Sequence, residues 1–112
     1  MAEVVEEVEL IEIKAPQTIQ EYAKEKVTEK WSEHEWEAFN SIVHKESRWN
    51  NTAQNPNSTA HGLCQFLKST YAIYGEKTDN PERQIDMCLK YVFDRYKTPS
   101  KALEFHIYNG YY

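Results

Sequence analysis

Apolar and polar positions change rhythm several times along this chain. Over residues 1–14, Val, Ile and Leu are interleaved with Glu, a pattern that fits a short strand or an extended arm better than a helix. Pro16 separates this stretch from the next one. From 17 to 31, Ile19, Tyr22, Ala23, Lys26, Val27 and Trp31 fall at helical spacing, which predicts an amphipathic helix. A second helix starts at Ser32, which forms a capping-box pattern with Glu35. Trp36, Phe39, Ile42, Val43 and Glu46 then recur at intervals of three and four, so Glu46 shares the face of Phe39, Ile42 and Val43 at the helix's end. That is a costly place for a charge unless the charge has a function.

Residues 48–61 are polar and Asn-rich, with the composition of turns. A loop of that length is long for a compact domain, and long loops are often functional. Leu63, Phe66, Leu67 and Ile73 predict a short helix within 62–74, ending at Gly75. Asn80 before Pro81 reads as a cap followed by a first helical residue. Ile85, Cys88, Leu89, Val92 and Tyr96 mark a helix over about 81–97. Thr98-Pro99 opens a last short helix, with Ala102, Leu103 and Phe105 expected inward. Five helices and no convincing central strand predict an all-α fold, and their unequal lengths do not fit a symmetric bundle. The organisation expected is an acidic N-terminal arm and helix, 1–31, followed by a compact domain, 32–112.

The chain has 112 residues, enough for one core, and its apolar share of 40% and aromatic share of 13% predict folding. The net charge of −5 is unevenly spread. Residues 1–37 hold eleven Glu against four Lys, a net −7, whereas residues 38–112 hold nine Lys or Arg against seven acids, a net +2. The basic remainder suits an anionic polymer but lacks the clustered patch that nucleic-acid binding needs. No apolar run approaches the roughly 18 residues of a membrane span. No signal peptide is visible, since Met1 to Glu7 is acidic where a positive region would stand. A phage product made in the cytoplasm, a leaderless export and a fragment of a longer protein all fit that start. Cys64 and Cys88 both fall in predicted helices. Buried free thiols are the default reading, and a disulfide between the two helices is the alternative in an oxidising compartment. The four His are scattered and form no zinc-site spacing with the cysteines, so no metal and no cofactor is expected.

The chemistry centres on Glu46. From Arg48 to Gly75 the chain contains no Asp or Glu. A carboxylate against apolar neighbours, without an acidic partner nearby in sequence, suits a general acid of raised pKa. That points to cleavage of a glycosidic bond, with a cell-wall glycan as the expected substrate. The bland alternative is a helix-end glutamate paired with Lys45 or Arg48. His44, His61 and His106 sit in no nucleophile or metal arrangement and are read as surface or packing residues, although His61 directly precedes Gly62. Trp49 and Tyr74 suit sugar stacking or structural packing equally.

Three segments occur in order: Glu46-Ser47, Gly62-Leu63-Cys64-Gln65-Phe66, and Tyr108-Asn109-Gly110. In this order and spacing they resemble the lysozyme-like domain of soluble lytic transglycosylases, which carry a Glu-Ser pair, a Gly-Leu-Met-Gln motif and a Tyr-Asn-x-Gly-type motif. Cys64 stands where Met is common. The resemblance covers about residues 32–112, and the stretch from Arg95 to Tyr112 is most similar to small secreted or phage-borne members. It implies a lysozyme-like, goose-type fold and a peptidoglycan substrate at the bacterial cell wall. The protein would act from a virion, the cell exterior or the periplasm. It implies Glu46 as sole catalytic acid and base, cutting the MurNAc–GlcNAc β-1,4 bond with a 1,6-anhydromuramic product. Ser47, Gly62, Gln65, Tyr108 and Asn109 would bind substrate; their structural alternatives are a helix cap, a helix-start glycine, a polar surface residue and a C-terminal packing cluster. Two other readings stay open: a muramidase-type hydrolase, for which Asp79, Glu82 or Asp86 would supply a second carboxylate, and a non-catalytic glycan-binding or structural virion module. The acidic stretch 1–31 is expected to dock the domain onto a larger virion or cell-surface assembly.

Overall fold

The computed structural model describes residues 17–112; the arm expected over 1–14 lies outside the described residues. Five helices succeed one another: α1 Ile19–Lys30, α2 Glu33–Ser47, α3 Lys68–Tyr74, α4 Pro81–Tyr96 and α5 Pro99–Asn109. No strand occurs among the described residues, only isolated bridges from Gln54 to His61 and from His61 to Phe66. The all-α expectation holds.

Local chemistry sets the helix ends. Asn80 Oδ1 accepts from Arg83 N at 3.0 Å ahead of Pro81, the cap that the sequence predicts, and Thr98 Oγ1 accepts from Lys101 N ahead of Pro99 and caps the second X-Pro start in the same way. The capping box is displaced, however. Ser32 makes no side-chain cap bond, and Glu35 Oε1 instead accepts from Ser100 N at 2.7 Å. Glu35 thus serves the positive N-terminal end of α5 in place of its own helix. The reciprocal box forms at α1, between Thr18 and Glu21.

The core draws on every helix but is centred on α2 and α4. Phe39, Ile42 and Val43 of α2 meet Val27 and Ala23 of α1, Ile85, Cys88 and Val92 of α4, Ala102 of α5 and the loop residue Leu63, all essentially solvent-free. Each large side chain so buried contributes about 1.5–3 kcal/mol by removal from water. The boundary expected at 31/32 falls between two helices that share this one core, because α1 buries Ala23 and Val27 against α2 and α4.

Two sequence expectations fail in the segment before α3. Residues 62–67 are not helical. Gly62 has φ +87° and Gln65 has φ 52°, and two left-handed residues so close cannot continue a right-handed helix. Cys64 and Cys88 are not free thiols but a disulfide, with Cα atoms 6.3 Å apart. The bond ties this irregular segment to the middle of α4. Periodicity placed both cysteines inward correctly, but it cannot tell whether two inward thiols meet.

Candidate active site

A cleft of about 530 Å³ opens beside the C-terminal end of α2. Glu46 comes from α2, Gln65 and Phe66 from the turn after Gly62, Tyr91 and Arg95 from α4, and Tyr111 and Tyr112 from the tail after α5. Glu46 is the only side-chain carboxylate on its lining and Arg95 the only cation, among the described residues.

The Glu46 side chain is 17% exposed. Desolvation penalises its charged form and raises its pKa above the ordinary carboxyl value. His106 Nε2 lies 3.0 Å from Glu46 Oε1, and both this hydrogen bond and the His106 charge act in the opposite, smaller sense. The net direction is upward, so Glu46 keeps its proton to higher pH than a solvated glutamate. His106, read from sequence as a surface or packing residue, is corrected here to a direct partner of Glu46. No signal within the chain's local pattern points to this, since the two residues lie 60 positions apart.

The wall opposite Glu46 is stitched together from the Gly-Leu-Cys-Gln turn. Ser47 Oγ donates to Leu63 O at 2.7 Å, with a longer contact to Val43 O at 3.2 Å, joining the end of α2 to the turn. Gln65 Nε2 donates to Ala53 O at 3.0 Å and Gly62 O at 2.8 Å. Both amide protons are therefore used, and the amide oxygen has no protein partner among the described residues. At Gly62 a Cβ would stand 2.7 Å from Gln84 Cδ and 2.7 Å from the Tyr71 hydroxyl. Only glycine fits there, for lack of space as well as for its positive φ.

Gln84 is a site-forming residue that the sequence reading missed. It is 2% exposed. Its Oε1 accepts from Leu63 N at 2.8 Å, and its Nε2 donates to Asn51 O at 2.9 Å and Thr78 O at 2.7 Å. The available signal was a polar residue on the apolar stripe of α4, four positions before Cys88. Tyr112 closes the floor: its hydroxyl donates to Cys64 O at 2.8 Å, and its carbonyl accepts from Tyr91 OH at 2.9 Å. Burial first, then the nearby Glu46 charge, push the Tyr112 hydroxyl well above its usual range.

Other expected residues lie elsewhere. Tyr108 and Asn109 border a shallower depression, with Tyr96, Lys101, Glu104 and Phe105, that adjoins the cleft at Arg95. Tyr108 is 83% exposed. It is the residues just beyond the Tyr-Asn pair, Gly110 to Tyr112, that line the Glu46 cleft. None of Asp79, Glu82 and Asp86 is on the cleft lining. Asp79 binds buried His61 at 2.6 Å, with Gln54 on the other ring nitrogen at 3.1 Å, and Asp86 accepts from Tyr22 OH at 2.8 Å. Trp49 packs edge-on to Phe39 and donates to Asn40 at 2.8 Å, outside the cleft. No cluster of His, Cys, Asp and Glu suited to a metal ion is present among the described residues. No helix among them is long and apolar enough to cross a membrane.

No curated protein and no solved structure matches the chain. The family model described as the transglycosylase SLT domain matches residues 21–110, a span that runs from α1 to the start of the tail and so takes in the whole shared core. The match spans most of the chain, and the chain belongs to the transglycosylase SLT domain family, whose general activity is lytic cleavage of peptidoglycan.

Proposed function

We propose that the protein is a lytic transglycosylase that cuts the β-1,4 bond between N-acetylmuramic acid and N-acetylglucosamine and leaves a 1,6-anhydromuramic end. The observation that carries this is Glu46, the one side-chain carboxyl group on the cleft lining among the described residues, raised in pKa by burial. A retaining or inverting hydrolase uses two carboxylates across the bond, and the candidates for the second one are engaged elsewhere or off the lining.

In this reading Glu46 gives its proton to the glycosidic oxygen as the bond to the muramyl anomeric carbon breaks. The substrate's own N-acetyl oxygen holds the anomeric carbon in the interval. Glu46, now a carboxylate, takes the proton of the muramyl 6-hydroxyl, whose oxygen closes on the anomeric carbon and displaces the N-acetyl oxygen. Glu46 ends protonated, ready for the next cycle, and no water is consumed. One group serves as acid and then base because a raised pKa brings both forms within reach at one pH.

Several side chains support that role. The unpaired amide oxygen of Gln65 accepts from a sugar N–H or hydroxyl. Ser47 and Gly62 act through the turn they hold, which sets the distance between Glu46 and Gln65. Arg95 suits the carboxylates of a peptidoglycan strand. Tyr108 and Asn109, on the adjoining depression, meet the strand further along, where an exposed tyrosine ring packs on a sugar face. Action is at the bacterial cell wall, from a virion or from the exterior or periplasm. Docking to a larger assembly uses the acidic stretch 1–31, of which Glu21, Glu25 and Glu29 lie on the exposed side of α1.

The test is mass spectrometry of soluble products after incubation of purified peptidoglycan with the protein and with Glu46→Gln. Anhydromuropeptides from the unaltered protein, lost in the variant, are expected. Reducing muropeptides would move the activity to hydrolysis, and binding without any product would leave a glycan-binding module.

A further inference from the structure

His106 touches Glu46 but is not on the cleft lining. It reaches the carboxyl group from behind, out of α5, across the most extensive helix–helix contact among the described residues. Its side chain is 13% exposed, and its ring packs 6.0 Å from that of Tyr112 at a tilt of 30°. The imidazole is therefore held by packing and not by a chance surface rotamer. Only Oε1 of Glu46 is engaged; Oε2 has no protein partner among the described residues.

This arrangement solves a geometric problem. A carboxyl group at the end of a flexible side chain presents two equivalent oxygens, and a misplacement of about 1 Å at a reacting group can cost roughly 100-fold in rate. An N–H donor fixed on one oxygen removes the equivalence. We propose that His106 is a positioning residue for Glu46: its Nε2–H holds Oε1, so the transferable proton resides on Oε2, the oxygen left for the glycosidic bond. The proposal rests on the reading of Glu46 as the acid and base of the reaction.

The same contact sets how readily Glu46 gives up its proton. Burial raises the Glu46 pKa, while the hydrogen bond and the charge of His106 pull it back. The other charged or titratable groups around Glu46 are few. Arg95 and Tyr91 of α4 share the cleft, and Tyr111 and Tyr112 come from the tail. On the other side of α2, Lys24 of α1 is paired with Glu33 at 3.1 Å. Among these, only His106 contacts the carboxyl group and lowers its pKa.

Two substitutions separate the parts of this role. His106→Gln keeps an N–H donor at the reach of Nε2 but removes the charge. His106→Phe keeps a ring of similar size and removes both. The first readout is the titration of the Glu46 carboxyl carbon by NMR in isotopically labelled protein, without substrate. The second is the pH profile of turnover on purified peptidoglycan.

The Glu46 midpoint is expected to rise from the unaltered protein to His106→Gln and again to His106→Phe, as first the charge and then the hydrogen bond is lost. The alkaline limb of turnover moves up in the same order, because Glu46 must be protonated to act. His106→Gln keeps kcat within a few-fold, whereas His106→Phe lowers it roughly 10- to 100-fold with little change in KM, since His106 does not meet the substrate. An unmoved Glu46 midpoint in His106→Phe overturns the proposal, and if that variant fails to fold, a kcat in His106→Gln lowered roughly 10- to 100-fold does so by itself. So does a kcat in His106→Gln as low as in His106→Phe. Absence of glycan product from the unaltered protein sinks the transglycosylase reading instead, and the titration series still decides the Glu46–His106 coupling.

Discussion

Replacing Gln84 by methionine tests whether one buried amide organises the cleft wall. Methionine matches the length and approximate volume of glutamine but offers no partner to Leu63 N, Asn51 O or Thr78 O. Leu63 N is fully buried, so its lost acceptor costs about 1–3 kcal/mol. The two carbonyls are only partly buried, so water recovers some of their loss and each costs about 1 kcal/mol. The sum is about 3–5 kcal/mol, at the upper end of what single substitutions do. For a domain of this size that lowers Tm by about 12–20 °C. Urea denaturation monitored by circular dichroism gives the stability change, and hydrogen exchange reports the Leu63 amide directly. Because Leu63 also accepts the Ser47 hydroxyl, turnover should fall as well in the protein that remains folded. A loss below about 1 kcal/mol with an unaltered Leu63 exchange rate would refute the reasoning, since the amide would then not be what holds the turn.

Three other perturbations have outcomes set by the same structure. Reduction of the Cys64–Cys88 bond, which closes a loop of 24 residues, should lower stability by about 3.5 kcal/mol through the freedom regained by the unfolded chain; a urea midpoint unmoved by reductant would contradict it. Glu46→Gln should be more stable than the unaltered protein at high pH but not at low pH. The folded pKa of Glu46 lies above its ordinary value of 4.5, so the stability it carries is complete below that value and is lost as pH rises through the raised one; parallel urea midpoints across this window would argue against a desolvated carboxyl. Removal of residues 1–31 should destabilise the domain, because Ala23 and Val27 are both fully buried and Val27 by itself contributes about 1.5–3 kcal/mol; an unchanged thermal melt would show that α1 is dispensable to the core.

Much of the site was legible one helix at a time. Spacing by three and four places Glu46 beside Phe39, Ile42 and Val43, and the structure keeps it there, half-buried. The starts of α4 and α5 are set by Asn80-Pro81 and Thr98-Pro99, whose caps act within three residues. Turn composition announces the loop after α2, but not the two left-handed residues that keep 62–67, the first half of the helix expected within 62–74, from being helical.

The set of helices, their inward faces and the carboxyl group placed on one of them follow from the order of residues, because these depend on backbone geometry and contacts within a turn or two. Which inward groups meet is set by how the helices pack. Glu35 serves Ser100 across 65 positions, His106 reaches Glu46 across 60, Gln84 gathers Leu63, Asn51 and Thr78, and Cys64 joins Cys88. Each of these pairs depends on the angle and register at which whole helices pack, and that is fixed by the sum of many side-chain shapes in the core and not by any local pattern.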